Sequence, residues 1–140
     1  MKQNSIVFDS FAILSFLKGE PGSDRVREYL LKVKSRDVAG YLSAVNLCEV
    51  YYVAMREKGH EQAHMLATSL RDWGLKIVPA DEDMATRAGW FKAQYSLALA
   101  DAFAAATSQE VGACLLTGDS EFQKLEGKIE IEWLSSRRRK

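Results

Sequence analysis

A chain of 140 residues is the length of one ordinary domain and can bury a core of its own. With 47% apolar and 27% charged residues it has a globular balance, which excludes a disordered or collagen-like chain. The formal charge is zero, but Arg137, Arg138, Arg139 and Lys140 hold four of the 19 basic residues against 19 acidic ones, so the body is mildly acidic and bulk charge does not announce a nucleic-acid surface. No apolar stretch reaches the length of a membrane span, and MKQNSIVF has neither the apolar core nor the cleavage site of a signal peptide, so a cytoplasmic protein away from membranes is expected.

In chain order, SIVFD is a β-branched run that predicts a strand, and SFAILSFLKGEPG predicts a helix stopped by Gly19 and Pro21. SDRVREYLLKVKS predicts a second helix capped by Ser23, with Val26, Tyr29, Leu30 and Val33 at helical spacing, followed by the strand DVAGYLS. Ser43 caps AVNLCEVYYVAMREKG, closed by Gly59, and a further amphipathic helix runs from about Glu61 to Trp73. LKIVPA predicts a third strand, and Asp81 caps the helix EDMATRAGWFKAQY. The alanine-rich LALADAFAAATSQEVG predicts a helix packed closely on a sheet, and ACLLT and IEIEWL predict the last two strands. This alternation predicts a single α/β domain over residues 1–136, with a mostly parallel sheet flanked by helices, and a short loose basic tail at 137–140. Cys48 and Cys114 lie in apolar-rich segments without metal-ligand spacing, as expected of buried thiols in a reducing compartment.

Four acidic residues each interrupt an apolar segment. Asp9 in VFDS and Asp119 in LLTGDS stand at the carboxyl ends of predicted strands, where open parallel sheets build their sites. Glu49 is flanked by Leu47, Cys48 and Val50, with no arginine or lysine within a turn, and Asp101 lies among Leu97, Leu99 and alanines. Plainer roles exist: Asp9 and Asp119 could cap the helices that follow them, and Asp101 could cap a helix beginning near Ala102. Glutamate in an apolar helix, by contrast, is rare without a partner. If the four converge, like charges raise one another's pKa until a cation neutralises them. Carboxylates without thiolate or imidazole suit magnesium or manganese, ions that act on phosphate oxygens and activate water. Hydrolysis of a phosphodiester is the chemistry this points to.

These segments resemble PIN-domain ribonucleases, most closely the VapC-type toxins of toxin–antitoxin pairs, over essentially the whole chain. IVFDSFAILSFLKGE is similar to the family's opening strand and helix, with Asp9 as first acid and Ser10 as the small hydroxyl residue after it. LSAVNLCEVYYV resembles the helix that carries Glu49, and YSLALADAFAAATSQEVGACLLTGDSEFQKL resembles the most diagnostic stretch, with Asp101, Thr117 and Asp119. The resemblance implies a PIN-like domain with five parallel strands. Its catalytic, metal-holding residues would be Asp9, Glu49, Asp101 and Asp119, with Ser10, Thr117 and Glu121 secondary. It further implies one or two Mg2+ or Mn2+ ions, an RNA substrate, a homodimer, and a cognate antitoxin whose C-terminal segment fills the pocket. On this reading Gly118 supplies backbone freedom beside the metal, and Lys18, Arg56, Lys92 and the basic tail are candidates for holding RNA phosphates.

HEQAH, residues 60–64, fits the H-E-x-x-H pattern of zinc proteases. His60 directly follows Gly59, which places it at or before the helix cap, poorly set to share a face with His64. An aspartyl phosphatase would want a second aspartate at position 11, where Phe11 stands, and a dinucleotide-binding fold would want a glycine-rich first turn, which FDSFAI lacks. The remaining alternative is a nuclease-like module that binds RNA or a protein without cutting. Trp73, Trp90, Phe91 and Tyr95 are expected to pack in the core, or otherwise to line a dimer or antitoxin groove.

Overall fold

Apolar runs of two periods alternate along the chain, and the computed structural model, which describes residues 4–134, turns each into the element its period favours. Strand β1 (Ser5–Phe8) leads into α1 (Ser10–Lys18), α2 (Ser23–Lys34) and β2 (Ala39–Ser43). Next come α3 (Ala44–Lys58), α4 (His60–Asp72), β3 (Lys76–Val78), α5 (Glu82–Tyr95), α6 (Leu99–Val111) and β4 (Cys114–Thr117). A 3-10 helix (Ser120–Leu125) precedes β5 (Ile131–Trp133). The tail expected at 137–140 lies outside the described residues, within which no helix is long and apolar enough to cross a membrane.

All strand pairs are parallel, in the order β3-β2-β1-β4-β5. Successive side chains of a strand point to opposite faces, and the core divides accordingly. Ile6, Phe8, Leu42, Cys114 and Leu116 pack on one side with Ala12, Ile13, Val26, Leu30, Val50 and Leu70 from α1 to α4. Val7 and Leu115 pack on the other with Phe91, Ala102, Ala105, Phe122 and Leu125. Both faces are covered, as a parallel sheet requires. The chain leaves β1 toward β2 on one side and returns to β4 on the other, so the carboxyl ends of β1 and β4 flank the point where strand order reverses, the place where such sheets form crevices.

Several local expectations change. Ser23 is the first residue of α2 rather than its cap; Gly22, at φ 95°, takes the cap position with no side-chain bond. Helix α4 begins at His60, and the six-residue 3-10 helix has too short a period of apolar residues to stand out in the sequence. Gly19 does end α1 in the left-handed region, at φ 66°. Of the two thiols, Cys114 is buried and its pKa is pushed up to about 12, chiefly by burial, whereas Cys48 is exposed. Phe91 joins the core and Trp73 and Tyr95 pack against it, but Trp90 is 53% exposed.

Candidate active site

Phe8 pairs with Leu116 across β1 and β4, so the next residues, Asp9 and Thr117, meet at the switch point. The Thr117 hydroxyl donates to Asp9 Oδ2 and accepts from the Asp119 backbone N–H at 3.0 Å. Asp9 Oδ1 accepts from the Ala12 N–H at 2.8 Å, capping α1, and Asp119 Oδ1 accepts from the Glu121 N–H at 3.0 Å, capping the 3-10 helix. Both aspartates therefore do what the plainer role required, and that role also fixes them beside one another.

Asp9 is 1% exposed. Its pKa is raised from 3.8 to about 7, first by burial and further by Asp101 and Asp119, against the hydrogen bonds from Thr117 and Ala12 that lower it. Asp101 does not cap a helix starting near Ala102. Helix α6 begins at Leu99, with extended Ala98 before it, so Asp101 stands inside the first turn. Its pKa also rises to about 7, by burial first, then by the charges of Asp119, Glu49 and Glu121, with Lys124 opposing. Glu49, on α3 beside core residue Val50, is thus within the electrostatic reach of Asp101. The four expected acids and Glu121 share one region.

Among the described residues no three His, Cys, Asp or Glu side chains stand close enough to wrap one metal ion. The crevice is a shared field of carboxylates rather than a closed cage. It still fits a hard, hydrated cation: magnesium keeps most of its waters and needs only one or two carboxylates, and one buried and one half-buried carboxyl, both with pKa values raised to about 7, are short of positive charge. Asn46 adds a second sign of fit. It is wholly buried, with Nδ2 donating to Ser10 Oγ at 2.8 Å and to the Ala100 carbonyl at 3.3 Å, and its Oδ1 is the one buried side-chain polar atom among the described residues without a partner. Waters on a hydrated ion are the donors such an oxygen lacks.

Sequence reasoning misses Asn46, although an amide three residues before Glu49 in an apolar helix is a signal of the same kind as the glutamate. It also misses Lys124, which reaches the site from the unforeseen 3-10 helix, binding Glu121 Oε1 at 2.9 Å and the Ser96 carbonyl at 3.2 Å. Three of the phosphate candidates have other contacts, the basic tail lying outside the described residues: Lys18 pairs with Glu57 at 3.6 Å, Arg56 lies over the Tyr52 ring at 5.3 Å, and Lys92 donates to the Leu97 carbonyl at 2.9 Å. Lys18 is eight residues along α1 from Ser10, about 12 Å at helical rise. Gly118 is not in the left-handed region. Its missing side chain matters because a Cβ there would stand 2.5 Å from Cε1 of Phe11, whose ring covers the loop.

His60 and His64 do share a helical face, contrary to the sequence reading. Their rings stack at 6.5 Å, only 4° from parallel, because α4 already includes His60. Both are exposed. A zinc protease site needs a third protein ligand, and among the described residues none joins them.

The PIN domain family model matches residues 6–128, and the chain belongs to that family. Among solved structures, a toxin–antitoxin complex from Klebsiella pneumoniae is similar at 18% identity, covering 93% of this chain and 98% of that one, with a TM-score of 0.71. DNA-bound VapBC from Salmonella typhimurium is similar at 20% identity, covering 94% and 98%, with a TM-score of 0.72. The sarcin–ricin-loop-cleaving toxin VapC20 of Mycobacterium tuberculosis is similar at 16% identity, covering 89% and 95%, with a TM-score of 0.69. At these identities the likeness is one of fold. No curated protein matches the sequence.

Proposed function

We propose that this PIN-domain protein is a metal-dependent endoribonuclease, the toxin of a type II toxin–antitoxin pair that works in the cytoplasm as a homodimer. The observation that carries the reading is the convergence of Asp9, Glu49, Asp101 and Asp119 on one crevice, with two of the carboxyls holding protons to about pH 7. These four residues would hold Mg2+ or Mn2+, which supplies, when bound, the charge that offsets a phosphate and makes a water nucleophilic. Thr117 orients the carboxylates on either side of it, through Asp9 Oδ2 and the Asp119 N–H. Ser10 is held from behind by Asn46, and Glu121 adds negative charge near Asp101. Lys124, the cation that acts on Asp101, would be the group beside the acids to meet a substrate phosphate.

The fold shared with toxin–antitoxin complexes and with a toxin that cleaves the sarcin–ricin loop supports an RNA substrate and an antitoxin partner. The test is incubation of total cellular RNA with the purified protein and Mg2+ or Mn2+, beside EDTA and beside Asp101→Asn. Bands that appear with metal and vanish in both controls support the reading; bands that persist with Asp101→Asn overturn it. A second reading is a PIN-like module that binds RNA or protein without cutting. It predicts RNA or protein binding with no metal-dependent bands.

A further inference from the structure

Asn46 lies one helical turn before Glu49 on α3 and has no exposed surface. Its amide nitrogen bonds to Ser10, the residue after Asp9, and to the carbonyl of Ala100, the residue before Asp101. One side chain thus rides on the helix of one acid and touches the chain next to two others. The orientation of the amide is fixed by chemistry: the Ala100 carbonyl can only accept, so the NH2 group must face it. The bonds also cross between elements that local sequence does not join, since Ser10 is 36 residues from Asn46 and Ala100 is 54.

Stability alone does not explain an amide here. Helix α3 packs with Val50 and Ala54 in the core and Leu47 against it, and an amide at position 46 brings into that apolar setting an oxygen with no partner of its own, a cost that packing does not call for. The start of α1, the body of α3 and the start of α6 each bring an acid to the crevice, and like charges drive them apart when no cation is present.

We infer that Asn46 is the positioning residue of the crevice: its amide cross-links the starts of α1 and α6 to α3, and so sets the separation of Asp9, Glu49 and Asp101 that a divalent cation meets. The inference rests on reading the crevice as a metal site. It makes Asn46 a determinant of cation affinity beyond its part in folding.

The test titrates Mn2+ into the full-length wild-type protein and Asn46→Leu, following free Mn2+ by electron paramagnetic resonance, with urea unfolding of both in EDTA. Asn46→Leu is expected to bind Mn2+ at least tenfold more weakly while still unfolding in one cooperative urea transition, lowered by no more than overpacking and two lost buried hydrogen bonds account for. Ser10→Ala removes one arm of the cross-link and is expected to weaken binding severalfold; it carries the test if Asn46→Leu does not fold. Wild-type affinity in the folded variants overturns the role of Asn46 alone. A wild-type protein that binds no Mn2+ overturns the metal reading itself, and the inference with it.

Discussion

Two regions of this molecule gather side chains of the kind that attract metal ions, and they differ in what surrounds them. At the start of α4, His60 and His64 stack face to face in solvent. In the crevice between β1 and β4, Asp9 is buried and Asp101 half-buried, and both are pushed far from their ordinary range by burial and by neighbouring carboxylates. The motif with the sharper sequence pattern lies in solvent, with no third ligand beside it among the described residues. The acids with weaker local patterns lie where the fold concentrates unfavourable charge, the setting in which functional sites are found.

The largest expected separation of the two regions is in activity. Asp101→Asn should lower metal-dependent RNA cleavage by at least ~1000-fold, the scale of losing a group that holds the metal and its water, while the double change His60→Ala, His64→Ala leaves the rate within about twofold. A gel assay on one RNA preparation compares the two, and cleavage lost with the histidines would reverse the contrast.

Next in size is the dependence of stability on pH without metal. The folded-state pKa values of Asp9 and Asp101 lie above the 3.8 of the free groups, so the folded protein binds more protons than the unfolded chain between about pH 4 and 7. Stability must then fall as pH rises through that window and level off above it. In EDTA, the melting temperature should be lower at pH 8 than at pH 5, and Asp101→Asn should recover part of the difference, raising it by about 2–5 °C at pH 8. Saturating Mn2+ should abolish that gain. A melting temperature independent of pH in EDTA would show that the two carboxyls are not held in their protonated forms.

Thr117→Val keeps the shape of a buried side chain and removes both of its hydrogen bonds. A loss of about 1–3 kcal/mol in urea unfolding is expected, with Asp9 and Asp119 no longer held in register. Gly118→Ala should have the smallest effect of the site substitutions, under about 1.5 kcal/mol, because the partly exposed Phe11 ring can swing away from the new Cβ. Urea titrations of the two variants side by side test that order.

Much of the site is legible in the sequence. Asp9 and Asp119 end apolar strands, and Glu49 and Asp101 break apolar helices, so each is visible as a local irregularity in hydrophobic period. Asn46 is an irregularity of the same kind but does not stand out, because an amide carries no charge and its partners lie in other helices. The shared face of His60 and His64 is hidden because a helix boundary is uncertain by a residue or two from sequence, and one residue decides whether both imidazoles are helical. Apolar neighbours suggest a buried Cys48, yet on a helix the flanking positions point in other directions.

The sequence by itself determined the order of strands and helices, the burial of both sheet faces and the points along them where four acids break the apolar runs. These follow from periodicity and polarity, which act over a few residues. Only the tertiary structure decided that Thr117 bonds to Asp9 from 108 residues away, that Phe11 closes over Gly118, and that one amide joins three helices. Those contacts depend on β4 entering the sheet beside β1, a choice made by the packing of the whole core, and it is this choice that turns scattered carboxylates into a crevice.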